Sequence, residues 1–216
     1  MTNQPALIEA RDVTVTSGRQ TLLAPVTFSL TAGQTACVTG PNGSGKTTLM
    51  RLLTGLRATA GGVVLVDGIV PDLRQARFRR TVSRLISPVP FSFRLTVGEH
   101  LRLVAMTWGL VPGEADRRVA EWLERLEASD LAGRFPHQMS AGELQAASLC
   151  VALVRPFGLL VLDEPEQSLD VSRVDALAEV LKAVAQDGAA VIAATHSTAL
   201  TRALGGPFLE LGRPPK

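Results

Sequence analysis

The run Gly40-Pro41-Asn42-Gly43-Ser44-Gly45-Lys46-Thr47-Thr48 satisfies the pattern G-x-x-x-x-G-K-[ST]. At this chain's composition about 0.003 such matches are expected by chance. Glycines without a Cβ let successive backbone N–H groups turn inward around a row of phosphates, and the start of a following helix adds partial positive charge. Lys46 is then expected to reach the β- and γ-phosphates of a nucleoside triphosphate, and the Thr47 hydroxyl to ligate Mg2+. The bland alternative is a glycine-rich turn.

Further along, Leu159-Leu160-Val161-Leu162 ends in Asp163-Glu164. An apolar strand delivers Asp163 at its C-terminal edge, beside the phosphate loop, where it can hold Mg2+ through water. Glu164 is placed to polarise an attacking water as general base. An acid pair after a strand also arises from helix capping, and it is the upstream glycine loop that favours the catalytic reading. Ser140-Ala141-Gly142-Glu143 opens a helix over Leu144 to Val154. A serine and a small residue there can present a hydroxyl and backbone N–H groups to an anion; taken alone, an N-cap completed by Glu143 as a capping box is the simpler reading.

The elements that must position these groups follow from periodicity. Ile8 to Val15 and Val26 to Leu30 read as strands around a Ser17-Gly18 turn, which suggests an antiparallel layer. Thr35 to Thr39 is a buried strand feeding the glycine loop, and Leu49 to Leu56 has the repeat of a helix. Val63 to Val66 and Val82 to Ile86 are further strands, the first followed by an Asp67-Gly68 turn. Between Leu95 and Arg155 the period becomes helical: Leu101, Val104, Ala105 and Trp108 share one face, and Val119, Trp122, Leu123 and Leu126 another. Both tryptophans are expected on core faces. Leu159 to Leu162 and Ala190 to Ala194, linked by a helix over Val174 to Ala185, are the continuous apolar strands of a parallel sheet covered on both faces. The chain is thus expected to be one α/β domain over 1–216, with a helical subdomain inserted at about 95–155.

The 216 residues are 46% hydrophobic and 19% charged, a globular composition with mean hydropathy +0.21. A net charge of +2 is far from the basic bias of a nucleic-acid binder and weighs against such a partner. Asn3, Gln4, Glu9, Arg11 and Asp12 interrupt any signal-like apolar region, and no stretch reaches the ~18 apolar residues of a membrane span. Cys37 and Cys150 lack metal or redox spacing and read as small buried hydrophobes in a reducing compartment. Lysine is scarce, at Lys46, Lys182 and Lys216, which makes Lys46 more informative.

Taken together, the loop Gly40 to Thr48, Ser140 to Glu143 with its helix, Leu159 to Glu164, Ser168-Leu169-Asp170, and His196 in Ala194-Thr195-His196-Ser197 follow the order and approximate spacing of the ATP-binding-cassette (ABC) ATPases. The chain resembles that family from about Ile8 to Leu211. The resemblance implies a P-loop NTPase fold of ABC type: a mostly parallel sheet, an N-terminal antiparallel β layer and an inserted α-helical subdomain. It also implies ATP and Mg2+ as cofactors, and a head-to-tail dimer with a second ABC ATPase subunit. In that dimer Ser140 and Gly142 would touch the partner's γ-phosphate, His196 would contact its own, and Asp170 would make cross-dimer contacts. The expected function is an ATP-hydrolysing subunit that drives an ABC transporter through separate transmembrane permease subunits, held on the cytoplasmic face of the membrane by them. Rival readings are an ABC ATPase acting on nucleic acid or the ribosome, and a weakly active regulatory cassette.

Three departures from the family pattern carry expectations. The chain has no Tyr, and Ser17 falls about where an adenine-stacking aromatic would stand, so weak binding or relaxed base discrimination is expected. Ser87 occupies the place of the usual loop glutamine. Ala141 and Glu143 replace the commonest Gly and Gln of the signature, a change the site should survive. Arg74, Arg77, Arg79, Arg80 and Arg84 are expected to form a solvated basic face. Pro88, Pro90, Phe91 and Phe93 form an apolar loop that is read equally as buried or as the groove receiving a membrane subunit.

Overall fold

Two sheets share the strands of the computed structural model, which describes residues 5–87, 89–205 and 208–214; Asn3, Gln4, Pro88 and Lys216 lie outside them. Strands β1 (Ala6–Ser17) and β2 (Gln20–Thr31) pair antiparallel across a Gly18-Arg19 turn, and β4 (Gly61–Val66) lines the other edge of β1. Alternation explains which face is buried: Ile8, Ala10, Val13 and Val15 point inward, and the slip in parity falls at a bulge where Asp12 takes a positive φ. The second sheet is parallel throughout, in the order β5 (Val82–Leu85), β6 (Leu159–Asp163), β7 (Ala190–Ala194), β3 (Thr35–Thr39), β8 (Phe208–Glu210).

Period-two alternation in β6 divides the core. Leu159 and Val161 join Ile8, Leu49, Met50 and Ile192 between the parallel sheet, the antiparallel layer and helix α1 (Lys46–Leu53). Leu160 and Leu162 join Leu101, Trp122, Leu149 and Leu181 on the opposite face, under α3 (Val97–Thr107), α4 (Pro112–Arg125), α5 (Ala141–Leu153) and α6 (Val171–Gln186). Each leucine buried this way contributes about 1.5–3 kcal/mol before entropy is charged against it. Helices α3 to α5 follow one another between β5 and β6. The expected α/β fold, with its parallel sheet and antiparallel layer, is the fold observed.

The differences are local. The second strand starts at Gln20 rather than Val26, because hairpin pairing of Ser17, Thr16 and Val15 with Gln20, Thr21 and Leu23 carries the strand across Pro25. Helix α1 runs from Lys46 to Leu53 rather than to Leu56, and Gly55 ends it at φ +70°. Helices α2 (Ala76–Thr81) and α7 (Thr198–Leu204) and strand β8 have no counterpart in the periodicity reading. Each is too short to show a period. Of the two tryptophans only Trp122 is core; Trp108 lies half-buried in a groove, 3.6 Å beneath the Arg155 guanidinium. The arginine run is mixed: Arg74 and Arg77 pair with Asp72 and Asp67 at the surface, whereas Arg84 is half-buried and lines the same groove as Trp108.

Candidate functional site

Strand β3 hands the chain to the glycine loop, and α1 begins at Lys46. Two glycines are obligatory there. At Gly40 (φ +146°) a Cβ would lie 2.4 Å from the Leu211 carbonyl oxygen, and at Gly45 (φ +99°), the N-cap of α1, it would lie 2.6 Å from that of Leu22. Close approach of neighbouring backbone therefore leaves no room for a side chain at either position. Lys46 is buried, and its Nζ donates to the carbonyl oxygens of Gly40 (2.8 Å) and Pro41 (3.3 Å), so its ammonium spans the mouth of the loop. A cavity of about 470 Å3 opens here, lined by Asn42, Gly43, Gly45, Lys46, Thr47, Thr48 and Glu164 on one side and Gln20, Thr21 and Leu22 on the other. No aromatic side chain among the described residues lines it. Ser17 is exposed at the end of β1 and does not reach it.

Strand β6 ends in the half-buried Asp163. Burial pushes its carboxyl pKa up, a hydrogen bond with Thr47 pulls it down, the Glu164 charge raises it, and Arg51 and Lys46 lower it, with a net upward shift. Its Oδ1 is buried without a hydrogen-bond partner among the described residues. An orphaned carboxylate oxygen beside a threonine hydroxyl is a hard, all-oxygen donor set, and it fits Mg2+. Glu164 takes a positive φ of 47°, its N–H donates to the Ala194 carbonyl at 2.8 Å, and its Oε1 stands 3.7 Å from His196 Nε2. Phosphate loop, acid pair and His196 thus meet where β3, β6 and β7 end, at the C-terminal edge of the parallel sheet.

Ser140 and Gly142 are not in that cavity. They open α5, where the Ser140 hydroxyl accepts from Glu143 N–H at 3.3 Å and Glu143 Oε2 accepts from Ser140 N–H at 2.7 Å, a closed capping box. Arg134 Nη1 donates to Glu143 Oε1 at 2.5 Å. The backbone N–H, the Ser140 hydroxyl and the guanidinium together hold the Glu143 carboxyl down at about 2. Asp170 caps α6, accepting from Arg173 N–H at 2.9 Å. Ser87 is exposed at the groove that holds Arg84, Trp108 and Arg155. Of the apolar loop beyond it, Phe91 packs on the core and tilts against His100 while Phe93 is exposed; Pro88 lies outside the described residues.

A family model described as ABC transporter matches residues 23–167, and that span covers the loop, the signature and the acid pair. The chain belongs to the ABC transporter family. Within it the chain is an ATP-binding, ATP-hydrolysing subunit. The hemin import ATP-binding protein HmuV of Mesorhizobium japonicum is 34% identical over 207 residues, which are 90% of this chain and 78% of that protein. The zinc import ATP-binding protein ZnuC of Alcanivorax borkumensis is 34% identical over 96% of this chain and 75% of its own length. The spermidine/putrescine import ATP-binding protein PotA of Nitrosomonas europaea is 33% identical over 89% of this chain, which spans only about half (53%) of it. Among solved structures, the ATP-binding subunit of an ABC transporter superposes with a TM-score of 0.81 at 28% identity, covering 95% of this chain and 85% of that one. The dimeric bacterial ABC transporter cassette MJ0796 gives 0.83 at 23% identity over 95% and 94%, a likeness of fold.

Sequence reasoning about this ABC ATPase stopped at Glu164 and missed Glu166. Its Oε1 accepts from Thr195 Oγ1 (2.5 Å), His196 N–H (2.9 Å) and Ser197 N–H (3.1 Å). The available signal was a third carboxylate two residues beyond the acid pair. Gln145 was missed as well; its Nε2 donates to the Pro165 carbonyl at 3.0 Å and ties α5 to the loop after β6.

Proposed function

We propose that this chain is a single cassette over 1–216, with residues 95–155 as its helical subdomain, and that it binds and hydrolyses MgATP in a head-to-tail dimer. The observation that carries the reading is the meeting of Lys46, Thr47, Asp163, Glu164 and His196 at one sheet edge, while Ser140 and Gly142 open a separate helix outside the same cavity. A phosphate loop with its own signature elsewhere is completed by a second subunit.

In this reading the backbone of Gly40 to Gly45 and the residues Lys46 and Thr48 hold the phosphates, and Thr47 and Asp163 hold Mg2+, which neutralises charge on the phosphate oxygens when bound. Glu164 accepts a proton from the attacking water, and His196 contacts the γ-phosphate and orients that water. Ser140 and Gly142 bind the γ-phosphate of the partner's nucleotide. Closure is a population shift, driven by contacts that exist only with the γ-phosphate present.

Separate permease subunits supply the membrane path and hold the cassette peripherally on the cytoplasmic face. In support, no described helix is long and apolar enough to cross a membrane. Relatives of similar identity are named for hemin, zinc and polyamine import, so the shared part is the engine and cargo choice belongs to other subunits. Glu164→Gln tests the reading: the variant accumulates an ATP-bound dimer on size exclusion and turns over at least ~100-fold more slowly. A variant that stays monomeric with ATP and Mg2+ while the parent enzyme is active overturns it. Copurification with a membrane protein rather than ribosomes or DNA checks the transport assignment.

A further inference from the structure

We infer that Glu166 is a positioning residue for hydrolysis, a carboxylate clamp that holds the His196 loop against the loop following β6. The inference rests on the reading of His196 as the γ-phosphate contact. It assigns work to a side chain that does not line the phosphate cavity.

The geometry is specific. One oxygen of Glu166 collects three donors from three successive residues: the Thr195 hydroxyl, the His196 N–H and the Ser197 N–H. Thr195 Oγ1 closes the ring by accepting from Ser197 N–H at 2.9 Å. These bonds sit where β7 has ended and α7 has not yet begun. Without Glu166 the His196 N–H has no other partner among the described residues, and Ser197 N–H keeps only Thr195. Ser197 is itself the N-cap of α7, its hydroxyl accepting from Leu200 N–H at 3.2 Å. The His196 backbone is therefore fixed on both sides, while its imidazole remains half-exposed at 3.7 Å from Glu164.

The other end of the clamp is equally tied. Glu166 sits between Glu164 and Ser168, two residues held at positive φ, in a loop anchored by Gln145 on α5 through the Pro165 carbonyl. Gly142 packs its Cα face on the Ser168 carbonyl of that loop. The helix assigned to the partner's phosphate is thus joined, by way of Glu166, to the histidine assigned to this subunit's own. Displacing a group by about 1 Å from its reacting geometry can lower a rate about 100-fold.

The test uses the full chain. Glu166→Ala is expected to lower kcat by about 10- to 100-fold with little change in the binding of ATP, which the phosphate loop holds independently. Glu166→Gln keeps an acceptor oxygen in place and is expected to recover most of the rate. Amide exchange reads the clamp without catalysis: the His196 and Ser197 N–H groups should exchange faster in Glu166→Ala and stay protected in Glu166→Gln. His196→Ala and the double variant separate the two ideas. If His196→Ala is fully active, the role given to histidine fails, and the exchange result alone decides the clamp. If Glu166→Ala keeps the parent kcat and protection, or if its loss adds in full to that of His196→Ala, the clamp is overturned. If Glu166→Ala fails to fold, Glu166→Gln decides: His196 and Ser197 N–H groups that exchange faster while kcat stays at the parent value overturn the clamp.

Discussion

A methyl group on Gly142 would lie 2.4 Å from the carbonyl oxygen of Ser168. The first turn of α5 therefore rests directly on the loop between Glu164 and Asp170, and the small residue is required by packing within the chain as well as by any approach of backbone to phosphate. Replacing a helical glycine by alanine ordinarily stabilises by up to about 1 kcal/mol. Here the neighbour is backbone and cannot yield. Gly142→Ala is expected to lower Tm and to abolish ATP-dependent dimerisation, whereas Gly113→Ala, in α4 with open space around it, should raise stability by roughly 0.4–1 kcal/mol. Thermal melts of the two variants, with size exclusion in MgATP, check the contrast.

Glu143 supplies a pH signature. Its folded pKa of about 2 lies below the ordinary 4.5, so the ionised form is the one that folding favours. The resulting stabilisation is complete above pH 4.5 and disappears as pH falls from there through about 2. Glu143→Gln keeps the cap geometry and removes the charge. The Tm gap between parent and variant should be constant near neutrality and close progressively below pH 4.5, measured by melts in a pH series at fixed ionic strength.

What could be read in advance was whatever a local pattern carries. The run into Lys46 and the run into Asp163 each contain their own strand and turn, so both elements were legible to within a few residues, as was the capping box of Ser140 and Glu143. Short strand runs in β1 and the continuous apolar runs of β6 and β7 disclosed the layers. What escaped depends on contacts far apart in sequence. Glu166 gains meaning only because β6 and β7 are adjacent in the sheet and bring Thr195 to it, 29 positions away. Trp108 has a helical-face spacing that looks like core, but the groove beside it is created by β5 and by Arg155 at the far end of α5. Strand β8 is three residues long and pairs with β3 from the other end of the chain.

Asp163 sets function against stability. Burial raises its pKa, so ionisation is disfavoured in the fold, and keeping it charged at neutral pH costs stability. For an acid shifted upward the stabilising contribution is fully present below the unfolded pKa and is lost as pH rises through the folded pKa. Asp163→Asn should therefore raise Tm. The same change should remove Mg2+-dependent hydrolysis. Calorimetry without nucleotide and a phosphate-release assay at varied Mg2+ test both halves, and a lowered Tm would contradict the electrostatic argument.

The missing aromatic yields the sharpest functional expectation. Gln20, Thr21 and Leu22 form the wall of the phosphate cavity toward the β1–β2 turn, and Ser17 pairs in register with Gln20. A ring at position 17 would stand beside that wall, where a base attached to the bound phosphates can stack. Stacking contributes about 1–3 kcal/mol per base, and without it affinity rests on phosphate contacts that every nucleoside triphosphate shares. The parent chain should bind MgATP and MgGTP within about tenfold of each other. Ser17→Tyr should tighten both by about tenfold or more through ring stacking alone, since 1.4 kcal/mol is one power of ten. Titration with fluorescent and unlabelled nucleotides measures the two ratios. Tight binding by the parent chain with strong adenine selectivity would mean that Gln20, Thr21 and Leu22 recognise the base by themselves.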